Sequence, residues 1–461
     1  MSRERQKNQL KLAFAAETRS EASTSDGRVE LPMTKQGLES EDMTERLMEE
    51  ICKPENLIVA LKRVRSNKGA PGIDGITVEE LPKYLKKNWP KHREELIQGT
   101  YKPKPARRKA IPKRDGGTRN LSIPCVMDRF VQQAMLQVLQ KQWDPTFSEH
   151  SYGFRPGRSQ QQAVARAQGY IAEGYRMVVD LDLEKFFDRV NHDILMGRIA
   201  KRVKDKRVLK LIRAFLNAGV VMEDGVVIPT EEGTPQGGPL SPLLSNLMLD
   251  DLDRELERRG HRFVRYADDC NIYVRTERAG QRVMEGVSEF ITKKLKLKVN
   301  REKSAVAVPW TRKFLGFSFT SEKAPRRRIA PQARKRFEDR IRELTRRNRG
   351  ISMERRIQRL AIFLQGWMGY FRFCETPAIF KDMDSWIRRR LRCVQWKQWK
   401  TCQRRYKELR RLGLDAIDAR KLGYCSHGPW PLSGYSLLNR ALPNAYFDSL
   451  ALPRLVVLYR G

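Results

Sequence analysis

The sequence Arg265-Tyr266-Ala267-Asp268-Asp269-Cys270 places two adjacent carboxylates between two short apolar runs, Phe263-Val264 and Ile272-Tyr273-Val274. These runs have the aromatic and β-branched composition of strands, so the stretch predicts a hairpin with the aspartates at its turn. Adjacent like charges repel, and a divalent cation would relieve that repulsion. Turns also favour aspartate that simply faces solvent. The pair alone leaves both interpretations open.

A second strand is predicted at Met177–Leu183, where alternation puts Asp180 and Asp182 on one face. A helix is predicted to begin near Glu184. If this strand neighbours the hairpin in one sheet, an aspartate from it would converge with the other two. Three carboxylates could then hold two Mg²⁺ ions about 3.5 to 4 Å apart, the arrangement that performs nucleotidyl transfer. Spacing alone does not decide between Asp180 and Asp182.

Two loops rich in turn residues flank these strands in the sequence. Asp115-Gly116-Gly117 joins two extended segments and predicts a β-hairpin. Lys113 and Arg119 lie on either side of that turn and could hold a triphosphate, although a solvated hairpin is the alternative. The loop Gly233–Pro242 leads into an apolar helix that runs through Leu252. Strands alternating with helices indicate an α/β or α+β domain.

The overall composition favours a polyanionic partner. The 461 residues include 91 Lys and Arg against 55 Asp and Glu, a net charge of +36, with 40% hydrophobic residues. That hydrophobic content suffices for packed cores and excludes a disordered chain, and the charge is best explained by nucleic acid. No apolar run approaches 20 residues and no signal peptide is evident, so no membrane association is expected. The seven cysteines lack C-x-x-C spacing, which predicts reduced thiols.

Residues 321–420 hold 29 Lys and Arg against 11 Asp and Glu, half the net charge of the chain. Helical spacing suits most of this region. Trp367, Tyr370 and Phe371 are predicted to form the core of a helical domain. The arginines between its aromatic residues are predicted to face nucleic acid, with a plain solvated face as the alternative. These arginines are Arg388, Arg389, Arg390 and Arg392.

Taken together, these residues resemble the group II intron-encoded reverse transcriptases and maturases. Tyr266–Asp269 resembles the polymerase signature box, and Asp182–Asp188 resembles the motif that supplies the first catalytic aspartate. Further matching segments follow the order of the family over about residues 55–320. They are Lys113–Pro124, Ser151–Ser159, Gly233–Gly237, Leu297–Lys303 and Phe314–Phe317. Gly366–Arg372 resembles the maturase region and extends the resemblance to about residue 425.

The resemblance implies roles for individual residues. Asp182, rather than Asp180, would be the ligand that joins Asp268 and Asp269 in binding Mg²⁺. Lys113 and Arg119 would hold the phosphates of the incoming dNTP. Phe187 would exclude the ribose 2′-hydroxyl. Gln236 would line the nucleotide pocket, and Lys303 is a candidate proton donor, although a surface lysine is an equal alternative.

The resemblance also implies an architecture, an α+β right-hand polymerase followed by a helical thumb. The expected divisions are a tail at 1–40, an N-terminal extension at 41–95 and fingers and palm at 96–320. A thumb and maturase domain at 321–425 and a C-terminal segment at 426–461 would follow. Only His427 and an unpaired Cys425 occur near the C-terminus, so no endonuclease activity is expected.

The expected partners are intron RNA, a template-primer duplex, a DNA target and dNTPs, in a bacterial cytoplasm and at the nucleoid when DNA is bound. Two alternatives stay open from the sequence. One is a non-catalytic splicing factor built on a decayed polymerase, against which the intact Asp182, Asp268 and Asp269 argue. The other is a relative that serves another retroelement or a defence system.

Overall fold

The computed structural model describes residues 45–112 and 118–460. The tail predicted at 1–40 and Lys113 therefore lie outside the described residues. The chain divides into two compact units. The first runs to Ala163 and resumes over Tyr175–Ala307, and the second comprises Val164–Gly174 and Val308–Gly461. This division falls before the predicted domain boundary at residue 320, which stays a prediction.

The first unit combines helices with two four-stranded sheets. Its helices are α1 (Leu47–Ile51), α2 (Pro54–Ser66), α3 (Leu81–Ile97), α4 (Val126–Trp143), the start of α5 (Gln160–Ala172), α6 (His192–Ala200), α7 (Lys206–Asn217), α8 (Ser241–Arg258) and α9 (Glu277–Lys294). Its strands are β1 (Ala106–Pro112), β2 (Thr118–Ile123), β3 (Met177–Leu181), β4 (Val220–Val221), β5 (Val227–Ile228), β6 (Arg262–Tyr266), β7 (Asp269–Val274) and β8 (Ala305–Ala307). The mixture confirms the α+β prediction.

The central sheet has the order β6-β7-β3-β8, with neighbouring strands antiparallel. The predicted hairpin is present as β6 and β7, and β7 pairs directly with β3. Val179 and Leu181 point into the core, whereas Asp180 and Asp182 are half-buried on the other face. The predicted alternation and the predicted adjacency of the two strands are therefore both confirmed.

The other sheet has the order β2-β1-β4-β5. β1 and β2 form the predicted hairpin, with Ile111 opposite Arg119 in the backbone register. The preceding helix α2 buries Leu57, Leu61 and Val64, as their spacing predicts. α8 confirms the apolar helix predicted after the Gly- and Pro-rich loop.

The second unit is mainly helical, as predicted for the basic region. It contains β9 (Phe317–Phe319), β10 (Arg327–Ile329), α10 (Pro331–Leu344), α11 (Met353–Phe371), α12 (Ala378–Gln398), α13 (Cys402–Arg411), α14 (Ala416–Gly423), α15 (Pro429–Leu432), α16 (Ser436–Ala441), α17 (Asn444–Ser449) and α18 (Leu455–Arg460). Trp367 stacks on Phe371 at 4.6 Å between ring centres and contacts Phe337 at 4.4 Å. Phe371 is buried, and Trp367 and Tyr370 are half-buried against it, so the predicted aromatic cluster is present with two of its rings at the edge of the core.

The helix predicted to begin near Glu184 is wrong. Lys185 has a left-handed φ of 49°, and only a short 3₁₀ turn, Phe186–Asp188, follows it. The backbone amide of Glu184 donates to the carbonyl of Lys298, which keeps this segment in sheet-like pairing beyond β3. The helix begins instead at His192, where the Asn191 side chain accepts the amide proton of Ile194 as an N-cap.

The segment Leu297–Val299 contributes one bridge to the sheet, between Leu183 and Val299. All seven cysteines are free, which confirms the prediction of reduced thiols. Among the described residues, no helix combines the length and apolar composition needed to cross a bilayer.

Candidate active site

Asp182 and the turn aspartates lie at one edge of the central sheet. The pairing of β3 with β7 ends at Leu181 opposite Cys270, so one step further the register brings Asp182 opposite Asp269. Cα atoms of such antiparallel neighbours are about 4.5 to 5.5 Å apart. Asp180 lies further into the sheet, opposite Asn271. The geometry therefore favours Asp182 over Asp180 as the partner of the hairpin aspartates.

The hairpin turn consists of two residues, Ala267 and Asp268, between Tyr266 and Asp269. Ala267 has φ = +58°, a left-handed value that a residue with a Cβ adopts only when its surroundings enforce it. Asp268 is half-buried and Asp269 is exposed. The two carboxylates therefore differ in their exposure to solvent, which the sequence alone does not reveal.

Arg265 holds this turn from below. Its side chain is 0% exposed, and its guanidinium donates to the carbonyl of Ala267 at 2.9 Å and to the Asn246 side chain at 3.0 Å. Its Nε donates to Asp253 Oδ1 at 2.7 Å, and its Nη2 donates to the Ser151 hydroxyl at 2.8 Å. Burial raises the pKa of the Asp253 carboxyl, and the ion pair with Arg265 acts in the opposite direction. This fully bonded network fixes the backbone that carries Asp268.

Gly153 makes the second contact with the turn. A Cβ on Gly153 would lie 2.2 Å from the amide nitrogen of Ala267, so no larger residue fits without a shift. The carbonyl of Gly153 accepts a hydrogen bond from the Asn246 side chain, and the amide of Tyr152 donates to the carbonyl of Arg265 at 2.9 Å. The segment Ser151–Ser159, which carries part of the family resemblance, thus packs beside the hairpin.

The other side of Asp182 is held by the segment Asn300–Ser304. The backbone amide of Asp182 donates to the Ser304 hydroxyl at 3.0 Å, and its carbonyl accepts from the amide of Asn300 at 2.8 Å. Lys303 belongs to this segment and so lies beside the same sheet edge. Its role as a proton donor stays a prediction.

Oxygen donors from two neighbouring strand ends suit Mg²⁺, which is commonly held by one or two carboxylates together with substrate phosphates. Within residues 45–112 and 118–460, no three His, Cys, Asp or Glu side chains stand close enough to hold a metal ion by themselves. The structure thus places Asp182, Asp268 and Asp269 at one edge but does not gather them into one ligand cluster. A magnesium ion held at this edge would therefore need oxygen ligands from a bound molecule beside these carboxylates.

Phe187 and Gln236 line one cavity of about 520 Å³ in the first unit. Phe187 is half-buried and its ring centre lies 5.2 Å from that of the buried Phe186. Gln236 Nε2 donates to Asp188 Oδ1 at 2.8 Å, and its carbonyl accepts from the amide of Ser122 in β2. Phe187 and Gln236 thus lie in one cavity, and their part in dNTP binding stays a prediction. Lys113 and the Arg119 side chain are not described.

The loop that carries Gln236 approaches β2 so closely that it requires glycine at position 237. Gly237 has φ = +130°, and a Cβ there would lie 2.4 Å from the carbonyl oxygen of Ser122. The amide of Thr234 donates to the carbonyl of Phe187. These contacts join the loop both to β2 and to the Phe187 turn, so the two pocket residues are positioned together.

Other residues also line this cavity, among them four amide, guanidinium or aromatic side chains that were missed from the sequence. They are Asn67, Arg129, Gln133 and Phe154. Arg129 and Gln133 are buried on α4, where burial lowers the pKa of Arg129. The apolar periodicity of α4 gave no signal for them, because polar residues on that helix are buried as well. Phe154 carried a signal, since an aromatic residue between Gly153 and Arg155 in a turn has no evident core to fill.

The arginines predicted to contact RNA differ in their surroundings. Arg388 is 3% exposed and pairs with Asp384 at 3.3 Å and Asp448 at 3.1 Å. Arg392 is 9% exposed and donates to the carbonyl of Leu442. The expectation that these two face nucleic acid is wrong, because both are buried and anchor the last helices. Arg389 lies over the Trp430 ring and Arg390 donates to Thr345, and both are partly exposed.

Comparison with known families gives two consecutive matches. The family described as reverse transcriptase (RNA-dependent DNA polymerase) matches residues 111–319, a range that contains the sheet edge, Phe187 and Gln236. The maturase-specific domain of group II introns matches residues 334–413. The chain carries a reverse transcriptase domain and a group II intron maturase domain.

Individual relatives match a little under half of this chain. Over 221 residues the chain is 39% identical to protein YkfC of Escherichia coli, a match that covers 47% of this chain and 58% of that protein. The group II intron-encoded protein LtrA of Lactococcus lactis is 36% identical over 217 residues, covering 45% and 35% of the two chains. A putative COX1/OXI3 intron 2 protein of Saccharomyces cerevisiae is 31% identical over 227 residues, covering 48% and 26%. The matched part is thus between about a quarter and about three fifths of each relative.

Among solved structures, the telomerase of Candida albicans in complex with an RNA fragment has a TM-score of 0.44 and 12% identity. The superposed part covers 80% of this chain and 68% of the telomerase chain. Within this chain, the reverse transcriptase match contains the three aspartates, Phe187 and Gln236, and the maturase match contains the four arginines of α12.

Proposed function

We propose that this protein is an RNA-directed DNA polymerase encoded by a group II intron, which binds the intron RNA to assist splicing and copies it into DNA during intron mobility. One observation carries the polymerase part. The register of β3 and β7 sets Asp182 opposite Asp269, beside a rigidly held turn that presents Asp268. This arrangement lies inside the reverse transcriptase match.

In this proposal each residue has a defined task. Asp182 and Asp268 would hold Mg²⁺ together with substrate phosphates, and Asp269 would order the site. The ions would supply activation of the primer 3′-hydroxyl and charge stabilisation of the departing pyrophosphate. Lys113 and Arg119 would bind the β- and γ-phosphates of the dNTP. Phe187 and Gln236 would shape the pocket under its sugar.

The arrangement around the aspartates supports preorganisation. Arg265, Gly153 and Asn246 leave the Ala267–Asp268 turn little freedom, so the carboxylate does not have to be ordered when substrate binds. The partners proposed for the whole protein are intron RNA, a template-primer duplex, a DNA target and dNTPs, in the cytoplasm of a bacterium. The lack of endonuclease activity stays a prediction.

The test of the polymerase function is primer extension on an RNA template with Mg²⁺ and dNTPs. Wild type should extend the primer, and Asp268→Asn should lower the rate by about a hundredfold or more, because even groups that only orient metal ligands contribute about 10- to 100-fold. Asp224→Asn is the matched control, since Asp224 lies in the exposed turn between β4 and β5. Extension by Asp268→Asn at the wild-type rate would overturn the assignment of the site.

A further inference from the structure

The second unit contains an open cavity of about 840 Å³ with an unusual concentration of arginine. We call it the arginine pocket, and it is formed around the loop between α10 and α11. Its arginines are Arg342, Arg346, Arg347, Arg349 and Arg390. Only two carboxylates, Asp339 and Glu343, line the same cavity among the described residues, so its walls carry a formal excess of three positive charges.

The loop that carries three of these arginines has a fixed backbone. Arg356 is 0% exposed and donates to the carbonyls of Leu344 at 2.7 Å, Arg346 at 3.2 Å and Arg349 at 3.3 Å. The side chain of Gln398 donates to the carbonyl of Ile351 at 2.9 Å. Because Arg356 already satisfies carbonyls at the end of α10, the exposed arginines of the loop are not needed to cap that helix.

The floor of the arginine pocket is also ordered. Arg390 Nε donates to the Thr345 hydroxyl at 2.7 Å, and Thr345 in turn donates to the carbonyl of Ile341. The guanidiniums of Arg342 and Arg390 lie 5.5 and 5.3 Å from the centre of the Trp386 ring. A smaller cavity of about 310 Å³ shares Arg342, Arg347 and Arg390 with the pocket and extends it towards Trp430.

The charges in the arginine pocket are incompletely neutralised. Arg342 pairs with Asp339 and Glu338, and Arg349 approaches Glu343 at 3.9 Å. Arg346 and Arg347 make no ion pair within the part of the chain that the structure describes, and both are exposed. Burial lowers the pKa of Arg390, and the nearby Arg342 and Arg347 lower it further. An anion bound among these side chains would relieve this repulsion.

We propose that the arginine pocket binds the phosphodiester backbone of RNA, with Arg346 and Arg347 as its outer contacts. This inference rests on the proposed function, since it locates the RNA partner of the maturase domain. One guanidinium can donate two parallel hydrogen bonds to the oxygens of a phosphate. The cavity is open, so an RNA strand can pass through it without being cut or ended there. Shape and phosphate contacts of this kind are the usual basis of structured-RNA recognition. The site replaces Arg388 and Arg392 as the RNA-facing part of this region.

The experiment compares two double variants of the full chain with equal reductions in charge. Arg346→Gln with Arg347→Gln alters the arginine pocket. Arg404→Gln with Lys407→Gln alters two exposed cations of α13 that do not line it. The probe is a fluorescein-labelled RNA hairpin, and its Kd is measured by anisotropy over a range of salt concentrations. Melting curves establish that both variants fold.

The pocket variant should bind the hairpin about tenfold or more weakly, because it loses charge-assisted hydrogen bonds to phosphate oxygens. The slope of log K against log salt concentration should become less negative by about 0.9 for each phosphate that the variant no longer neutralises. The control should change less in both respects. Equal weakening in the two variants, or none in the pocket variant, would overturn the proposal. Primer extension by the wild type reports separately on the polymerase function, so the two failures are distinguishable.

Discussion

Phe187 is the residue on which substrate choice is predicted to depend. Its ring lines the nucleotide cavity beside Gln236, and the 3₁₀ turn that carries it is bonded to the Gln236 loop. Phe187→Ala should therefore open space for a ribose 2′-hydroxyl and allow rNTP incorporation, while dNTP incorporation continues. The measurement is primer extension with each nucleotide class in separate reactions.

Phe187→Tyr is the control for that change, because it keeps the bulk of the ring. It should remain selective for dNTPs. If Phe187→Ala excludes rNTPs as strongly as wild type does, the ring acts only as core packing against Phe186.

At the scale of elements, the β6–β7 hairpin depends on the segment that packs against it. Gly153→Ala would place a methyl group 2.2 Å from the amide of Ala267. The resulting shift should cost about 1 to 3 kcal/mol of stability and should lower primer extension, because the displaced turn carries Asp268. Thermal melting and extension rates measure the two effects.

Gly197→Ala in α6 of the same unit is the matched control. No described atom outside its own helix lies within 4 Å of a Cβ there, so alanine should be neutral or stabilising by up to about 1 kcal/mol. A Gly153→Ala protein that melts and extends primers like Gly197→Ala would show that the turn does not depend on this close approach.

The strands of the central sheet could be predicted from the sequence, whereas the buried hydrogen-bond network of Arg265 could not. Alternation around Asp180 and Asp182, and the apolar runs around Asp268, each fixed one strand locally. Arg265 carried no such signal, because an arginine next to an aspartate pair reads as a surface charge. Its burial depends on Asp253 and Ser151, which lie 12 and 114 residues away in the sequence. Local patterns do not contain partners at that distance.

Over the whole molecule, the arginines are of two kinds. Some are buried and pair with carboxylates of the fold, and others are exposed and available to a ligand. Arg388 belongs to the first kind, since it joins α12 to Asp448 near the end of the chain. Arg388→Gln should destabilise the protein by about 3 kcal/mol, because it removes the buried guanidinium that bridges Asp384 and the half-buried Asp448. Chemical denaturation measures this change.

Lys381→Gln removes one exposed charge from the same helix and should change stability by less than about 0.5 kcal/mol. A result in which Arg388→Gln keeps wild-type stability but loses RNA binding would return Arg388 to the RNA-facing set. Helical spacing could not separate these two kinds of arginine, because Asp448 lies 60 residues from Arg388 in the sequence.

The hydrogen bonds between Asp182 and the segment Asn300–Ser304 can form only late in the synthesis of the chain. Ser304 follows Asp182 by 122 residues, so the ribosome completes the first proposed metal ligand long before it makes the residues that fix that ligand's backbone. The turn with Asp268 also emerges in that interval. A growing chain would therefore lack the contact between Asp182 and Ser304 until residue 304 has left the exit tunnel.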